Sequence, residues 1–258
     1  MSITKLFAGI AVASSMVIAG SVQAAQVAYF DFEEGAGATT TDQISATVGA
    51  ISGATWTTGQ YGGGLHFNGT DFVSAFNASY LVTQGTIMAW LNHDDVAALG
   101  GFGAGVPGDA NGWNAPWTGL QTGQNPNGGR AYGFSNNGTL AGNHINTGEA
   151  VASTANGTWH HYAATNDGVN LTVYLDGVQI AQIATGAAIT YQNNPSLIIG
   201  NRHNIATGEA WTGIVDEVKL FNTALDAAAI QAAMAPVPEP ATLGLIGLGA
   251  LALLRRKH

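Results

Sequence analysis

Few residues of this 258-residue chain have the types and spacing for chemistry. Asp216 and Glu217 stand side by side in the run TGIVDEVKLF, and His160 and His161 in TWHHYAAT. Glycoside hydrolysis needs two carboxylates about 5–10 Å apart, flanking a scissile bond. Both pairs lie in runs that alternate like β-strands, where neighbouring side chains point to opposite faces. Neither pair can therefore converge on one bond or one ion. Asp216 alternates with Ile214, Val218 and Leu220, which predicts that its carboxylate points to the apolar side of its strand. A buried carboxylate needs a partner. Residues 26–235 contain only three basic residues, Arg130, Arg202 and Lys219. The partner is then either a hard cation such as calcium or a set of backbone N–H groups. A third group lies in the Gly-rich stretch 99–130, where Trp113 and Trp117 accompany Asp109, Asn111 and Asn114. Aromatic faces stack on sugar C–H surfaces while amides and carboxylates take hydroxyls. The competing reading is that both indoles plug the edge of the fold, because Trp is usually largely buried. Cys is absent, so thiol catalysis and disulfides are excluded.

The elements that must position these residues centre on 156–183. Leu171, Val173 and Leu175 alternate with Thr172 and Tyr174, which predicts a half-buried strand. Asp176 and Gly177 predict a two-residue hairpin turn. That turn sets the expected register: Leu175 opposite Val178, Val173 opposite Ile180, Leu171 opposite Gln182. Residues 159–165 predict a further strand, closed by a turn at Asn166, Asp167 and Gly168. Thr223, with Asp226 three residues on and Ala-rich sequence after it, predicts a short helix over 223–234. Residues 99–130 are expected as a long loop without strands, and loops of that length are usually functional.

These motifs, in this order, resemble laminin G-like modules of the concanavalin A-like lectin and glucanase group. The resemblance rests on the opening FDFEEG at 30–35, the Gly-rich YGGGLHFNGTDFV at 61–73, and TIMAWL at 86–91. It continues through the Trp-His-His strand, the Tyr-x-Asp-Gly hairpin, SLIIGN at 196–201 and TGIVDEVKLF at 212–221. It implies an all-β, concanavalin A-like jelly-roll β-sandwich of two antiparallel sheets over residues 26–235, with a short C-terminal helix beside it. It also implies a structural calcium ion tying the first strand to the last, on Asp31 and Asp216 with oxygens near Asn68. The Glu-x-Asp-x-Glu strand of the related glucanases has no counterpart here, so the expected protein is non-catalytic.

Both ends are special. Residues 1–25 carry Lys5, an apolar run and the small-x-small pattern Val22-Gln23-Ala24, which reads as a secretory signal peptide. Residues 236–258 hold Pro238-Glu239-Pro240, an uncharged apolar segment 241–254 and the basic cluster Arg255, Arg256, Lys257. As a helix the segment spans about 21 Å, short of a ~30 Å hydrocarbon core. Its basic end is expected to stay in the cytoplasm. The three parts resemble the PEP-CTERM sorting signal of Gram-negative bacteria. This implies processing by a membrane exosortase, transient inner-membrane anchoring through a short, separate membrane helix, and a setting of exopolysaccharide and biofilm. Between the ends, three basic residues face fifteen acidic ones. That balance argues against nucleic acid as a partner and leaves neutral polysaccharide at the cell surface or in the matrix. Pro238 and Pro240 cannot continue a helix, so the box is expected to lie extended and open to cleavage. Mass spectrometry of the host's surface fraction should find a chain ending between residues 235 and 240. Deleting Pro238 to Pro240 should leave the protein in the inner membrane.

Overall fold

The pattern of short β-branched and aromatic runs, broken by Gly and Asn, produces strands throughout. The computed structural model describes residues 24–94, 100–105, 117–125, 129–136, 156–184, 196–201 and 210–236, the three segments between 100 and 136 as backbone only. The strands are β1 (Gln26–Phe30), β2 (Thr39–Thr41), β3 (Val48–Ser52), β4 (Thr55–Thr58), β5 (Gly63–Asn68), β6 (Phe72–Phe76), β7 (Gly85–His93), β8 (Gly100–Gly105), β9 (Trp117–Asn125), β10 (Gly129–Asn136), β11 (Trp159–Asn166), β12 (Asn170–Leu175), β13 (Val178–Ala184), β14 (Ser196–Ile199) and β15 (Thr212–Phe221). One helix follows, α1 (Ala227–Ala233). The first sheet runs β13-β12-β11-β7-β15-β5-β4, with β1 also on β15, and the second runs β10-β9-β8-β14-β6-β3-β2. All described pairings are antiparallel. The expected two-sheet sandwich is therefore the observed one.

The core lies between the sheets. Phe30, Leu65, Phe67, Ile87, Leu91, Tyr162, Val173, Val215, Val218 and Leu220 of the first sheet form one buried cluster with Val73, Ala75, Leu197 and Ile199 of the second. A smaller cluster covers the outer face of the first sheet, where Met88, Ala163, Tyr174 and Phe221 pack against Leu225 and Ile230. β15 is thus covered on both faces, which explains why eight of its ten residues are buried.

Several expectations need correction. The hairpin turn is as expected, with φ of 49° at Asp176 and 74° at Gly177, the left-handed pair a two-residue turn demands. A Cβ on Gly177 would also lie 2.4 Å from Gln231 Cγ of α1. The register beyond the turn differs, because a bulge intervenes between Val173 and Tyr174. Leu175 does face Val178, but Val173 faces Ala181 and Leu171 faces Ile183. An extra residue in β13 accounts for the shift by one. The stretch 99–130 is not a structureless loop, since it contains β8 and β9 and the start of β10 in the second sheet. Its Gly-rich strands have no apolar alternation to betray them, and backbone pairing of β8 with β14 and of β9 with β8 sets their register. The helix is capped by Asp226, whose carboxylate accepts from the N–H of Ala229 at 2.8 Å, and not by Thr223. Thr223 instead accepts the Thr86 hydroxyl through its carbonyl.

Asp42, in the connection between β2 and β3 of the second sheet, ties that sheet to β1 of the first. Fully buried, it accepts the N–H of Tyr29 in β1 at 2.8 Å, the N–H of Ile44 at 2.9 Å and the hydroxyl of Ser45. It also takes the Tyr80 hydroxyl at 3.0 Å, at the end of the short turn Ala78–Tyr80 that leads from β6 to β7. Asp42→Asn would replace one acceptor oxygen with an NH2 group, turning a donor towards these donors. Denaturant unfolding should show a loss of about 1–3 kcal/mol.

Candidate functional site

The chemistry-bearing side chains of the first sheet gather on its outer face, and one irregularity in β15 puts them there. Against β7, Asp216 faces Trp90 and Lys219 faces Met88, so three steps on β15 match two on β7. The extra residue is Glu217, at φ 55°. Such a bulge reverses the parity of the strand. Val215 faces the core before it, and Val218 and Leu220 after it. Asp216 is therefore not on the core side with Val218 and Leu220, as its spacing suggested. It shares the outer face with Trp90 and, one strand further, His161. At the bulge β15 also changes partners, from β5 over Thr212 to Val215 to β1 over Val218 to Phe221.

Asp216 is completely buried, and its two oxygens accept the N–H of Tyr61 at 2.9 Å and the N–H of Glu217 at 2.7 Å. A Cβ on Gly59 would stand 2.6 Å from Asp216 Oδ2, so that position admits only glycine. Backbone N–H groups, one of the two partners open to Asp216 on sequence grounds, thus meet both of its oxygens. Burial pushes its pKa up to about 7. The backbone bond from Tyr61 opposes the rise and the charge of Glu217 adds to it.

Glu217 and Lys219 form an ion pair at 2.8 Å, each about 2% exposed. Glu217 also accepts the Tyr29 hydroxyl at 2.7 Å, and the Lys219 ammonium lies 5.0 Å from the centre of the Tyr29 ring. The ammonium donates hydrogen bonds to the carbonyls of Ala233 at 2.9 Å and Ala235 at 2.7 Å. Beside them Tyr61, Trp90 and His161 make a row of edge-to-face rings, at 6.0 and 5.4 Å between centroids. The Trp90 indole N–H donates to the carbonyl of Met234 at 2.9 Å. His161 is buried, and burial, with the nearby positive charge of Lys219, lowers its pKa to about 3. His160 points the other way and bonds Asp176 at 2.8 Å, so the histidines diverge as their adjacency implied.

The three residues expected to hold calcium each accept a hydrogen bond within the protein. Phe30 pairs with Val218, which brings Asp31 next to the bulge, where it accepts from Gln43 at 3.1 Å. Asn68 pairs with Thr212, four strand positions from Asp216 or about 13 Å, and its oxygen accepts from Thr70. Among the described residues no group of three or more His, Cys, Asp or Glu could hold a metal ion. Of the glycan residues, Trp117 opens β9 opposite Asn136. Asp109, Asn111, Trp113 and Asn114 lie outside the described residues, as do the signal peptide, Pro238, Glu239, Pro240, the segment 241–254, Arg255 and Arg256. Among the described residues no helix is long and apolar enough to cross a membrane. Sequence reading overlooked Trp90, Lys219 and Tyr29, and only Lys219 gave a signal, as one of three basic residues in a strand otherwise apolar.

Two antiparallel sheets closed over one core define a β-sandwich of jelly-roll type. Residues 67–231 match the family model of the concanavalin A-like lectin/glucanases superfamily, and the chain belongs to that superfamily. Residues 236–257 match the PEP-CTERM protein-sorting motif. Together they mark an exported surface protein of a Gram-negative bacterium. No curated protein matches the chain. Among solved structures it is similar to domain 4 of AbnA, an extracellular arabinanase of Geobacillus stearothermophilus, in complex with arabinotriose. The TM-score is 0.64 at 16% identity, covering 82% of this chain and 99% of that one. It is also similar to Trypanosoma rangeli sialidase in complex with sialic acid, with TM-score 0.58 at 19% identity, over 81% of this chain and 32% of that one. The binding domain of botulinum neurotoxin DC in complex with SialylT gives 0.58 at 14%, over 80% and 50%. The chain therefore spans about a third to a half of the last two. At these identities the likeness is one of fold.

Asp216 and His161 make opposite contributions to pH dependence. Between about pH 4 and 7 folded Asp216 keeps a proton that the unfolded chain releases, so its contribution is lost as pH rises through 7. Below about pH 6.5 the unfolded chain protonates His161 and the folded one does not, so that contribution is lost as pH falls towards 3. Relative to wild type, Asp216→Asn should gain Tm from pH 4 to 7, and His161→Phe should gain it from pH 6.5 to 4. Melting scans across pH 4–8 check both slopes.

Proposed function

We propose that this protein is a non-catalytic module of the cell surface or extracellular matrix that binds polysaccharide. In this reading an exosortase-type enzyme processes it after transient anchoring in the inner membrane through residues 241–254. The observation that carries the non-catalytic part is the state of Asp216 and Glu217. Both are shut from solvent and committed to internal partners, so neither can meet a glycosidic bond. Sugar binding draws support from a neighbour of the same fold seen with arabinotriose, whose whole length the chain covers almost completely. The acidic balance leaves a neutral glycan as the natural ligand. Trp113 and Trp117, with Asp109, Asn111 and Asn114, supply the stacking faces and hydroxyl partners.

Glycan-array binding by the exported protein is the test. Trp113→Ala with Trp117→Ala should abolish binding while leaving the melting temperature within a few degrees of wild type. A loss of about 3–5 kcal/mol would instead make the indoles part of the core. No binding by wild type would leave a structural or adhesive spacer, and depolymerisation of any polysaccharide would make the protein an enzyme.

A further inference from the structure

The last described residues of the domain are held in an unusual way. Three successive carbonyls, those of Ala233, Met234 and Ala235, are each captured by a buried or half-buried side chain of the first sheet. Lys219 takes the first and third and Trp90 the second. The ammonium donates to the carbonyls of Ala233 and Ala235 and pairs its charge with Glu217, so its hydrogen bonds are made only when the chain end is in place. Gln231 of α1 adds a bond to the carbonyl of Gly177 in the hairpin turn. A helix of seven residues is marginal by itself. Its end would ordinarily fray, with its last carbonyls open to water. Here the bonded carbonyls continue two residues past the helix to Ala235, which is exposed and stands next to the first residue of the sorting motif.

We propose that Lys219 and Trp90 form a clamp that seals the C-terminal edge of the sandwich. The clamp confines proteolytic processing to the sequence beyond Ala235 and leaves the processed chain with a protected end. A protease needs an extended, unpaired stretch, and residues 227–235 supply one only if the clamp opens. The clamp also sets a reach. From Ala235 to Ala241, where the apolar segment begins, six residues extend at most about 20 Å. The processing enzyme must then act with the folded domain close against it. The proposal rests on processing at the sorting motif, but the clamp can be tested without that enzyme.

The full-length protein in detergent is treated with proteinase K or carboxypeptidase Y and followed by intact mass. Wild type should be trimmed to residue 235 or 236 and no further. The double variant Lys219→Met/Glu217→Gln removes both buried charges together, and should be trimmed through 227–235 at least about tenfold faster. Far-ultraviolet circular dichroism should show an unchanged sheet signal. Trp90→Phe, which keeps the ring and loses one bond, should fall between them and serves if the double variant does not fold. Wild-type trimming into α1 as fast as in the variants overturns the proposal. In the native host, wild type should yield one chain end at or beyond Ala235 and the double variant ragged ends upstream. Ragged wild-type ends upstream of Ala235 also overturn it. An unprocessed protein in the host would refute the processing step, leaving the digestion to decide the clamp.

Discussion

One extra residue in β15 governs most of what distinguishes this sandwich. A strand of strict alternation would place Asp216 among the core residues with Val218 and Leu220, where an unpaired carboxylate is costly. The bulge at Glu217 reverses the parity, so Val215, Val218 and Leu220 all reach the core and the acidic residues fall outside it. It also lets β15 pair with β5 along its first half and β1 along its second. The first strand of the domain and the last are therefore joined at the bulge, and backbone N–H groups of the bulge and of Tyr61 satisfy Asp216 where the sheet opens.

The outer face thus created is not left to solvent. Leu225 just before α1 and Ile230 within it cover part of this face, and the chain beyond the helix covers the part around Trp90 and Lys219. A buried ion pair such as Glu217–Lys219 adds little net stability, because desolvation offsets the attraction. Its effect is directional. Two of the three ammonium hydrogens have acceptors only if residues 233–235 run over Lys219 in one path, and Tyr29 and Trp90 close the sides. Charge inside the fold here selects a position for the chain end instead of providing a reaction.

This division bears on function. The superfamily fold hosts both binding modules and glycoside-cleaving enzymes, and the fold alone does not choose between them. What separates the cases is whether carboxylates converge on an open cleft. In the described part of this chain the adjacent acidic pair is consumed by the architecture, and the only basic residue in β15 is consumed with it. In the function proposed above, chemistry towards a ligand falls to the Trp and Asn residues around 109–117.

The sequence by itself determined the fold class, the turn residues and the sorting tail. Alternation of period two, Asp176-Gly177 and the order of Gly- and Trp-marked strands are local signals, and each follows from backbone sterics or side-chain direction. The Pro-Glu-Pro box with its apolar and basic sequel is likewise readable without a fold. Strands β8 and β9 were not readable, because glycine carries no face and pairing of β8 with β14 and of β9 with β8 creates them. The bulges in β13 and β15 were not readable either. A bulge is one residue without a partner, and only the neighbouring strand reveals that it has none. For the same reason Asp216 was rightly placed in a strand and expected on the wrong side of it. The roles of Lys219 and Trp90 lie further still from sequence. The carbonyls they hold are 14 to 144 positions away along the chain, and a carbonyl belongs to every residue alike, so only the tertiary structure decides which ones meet.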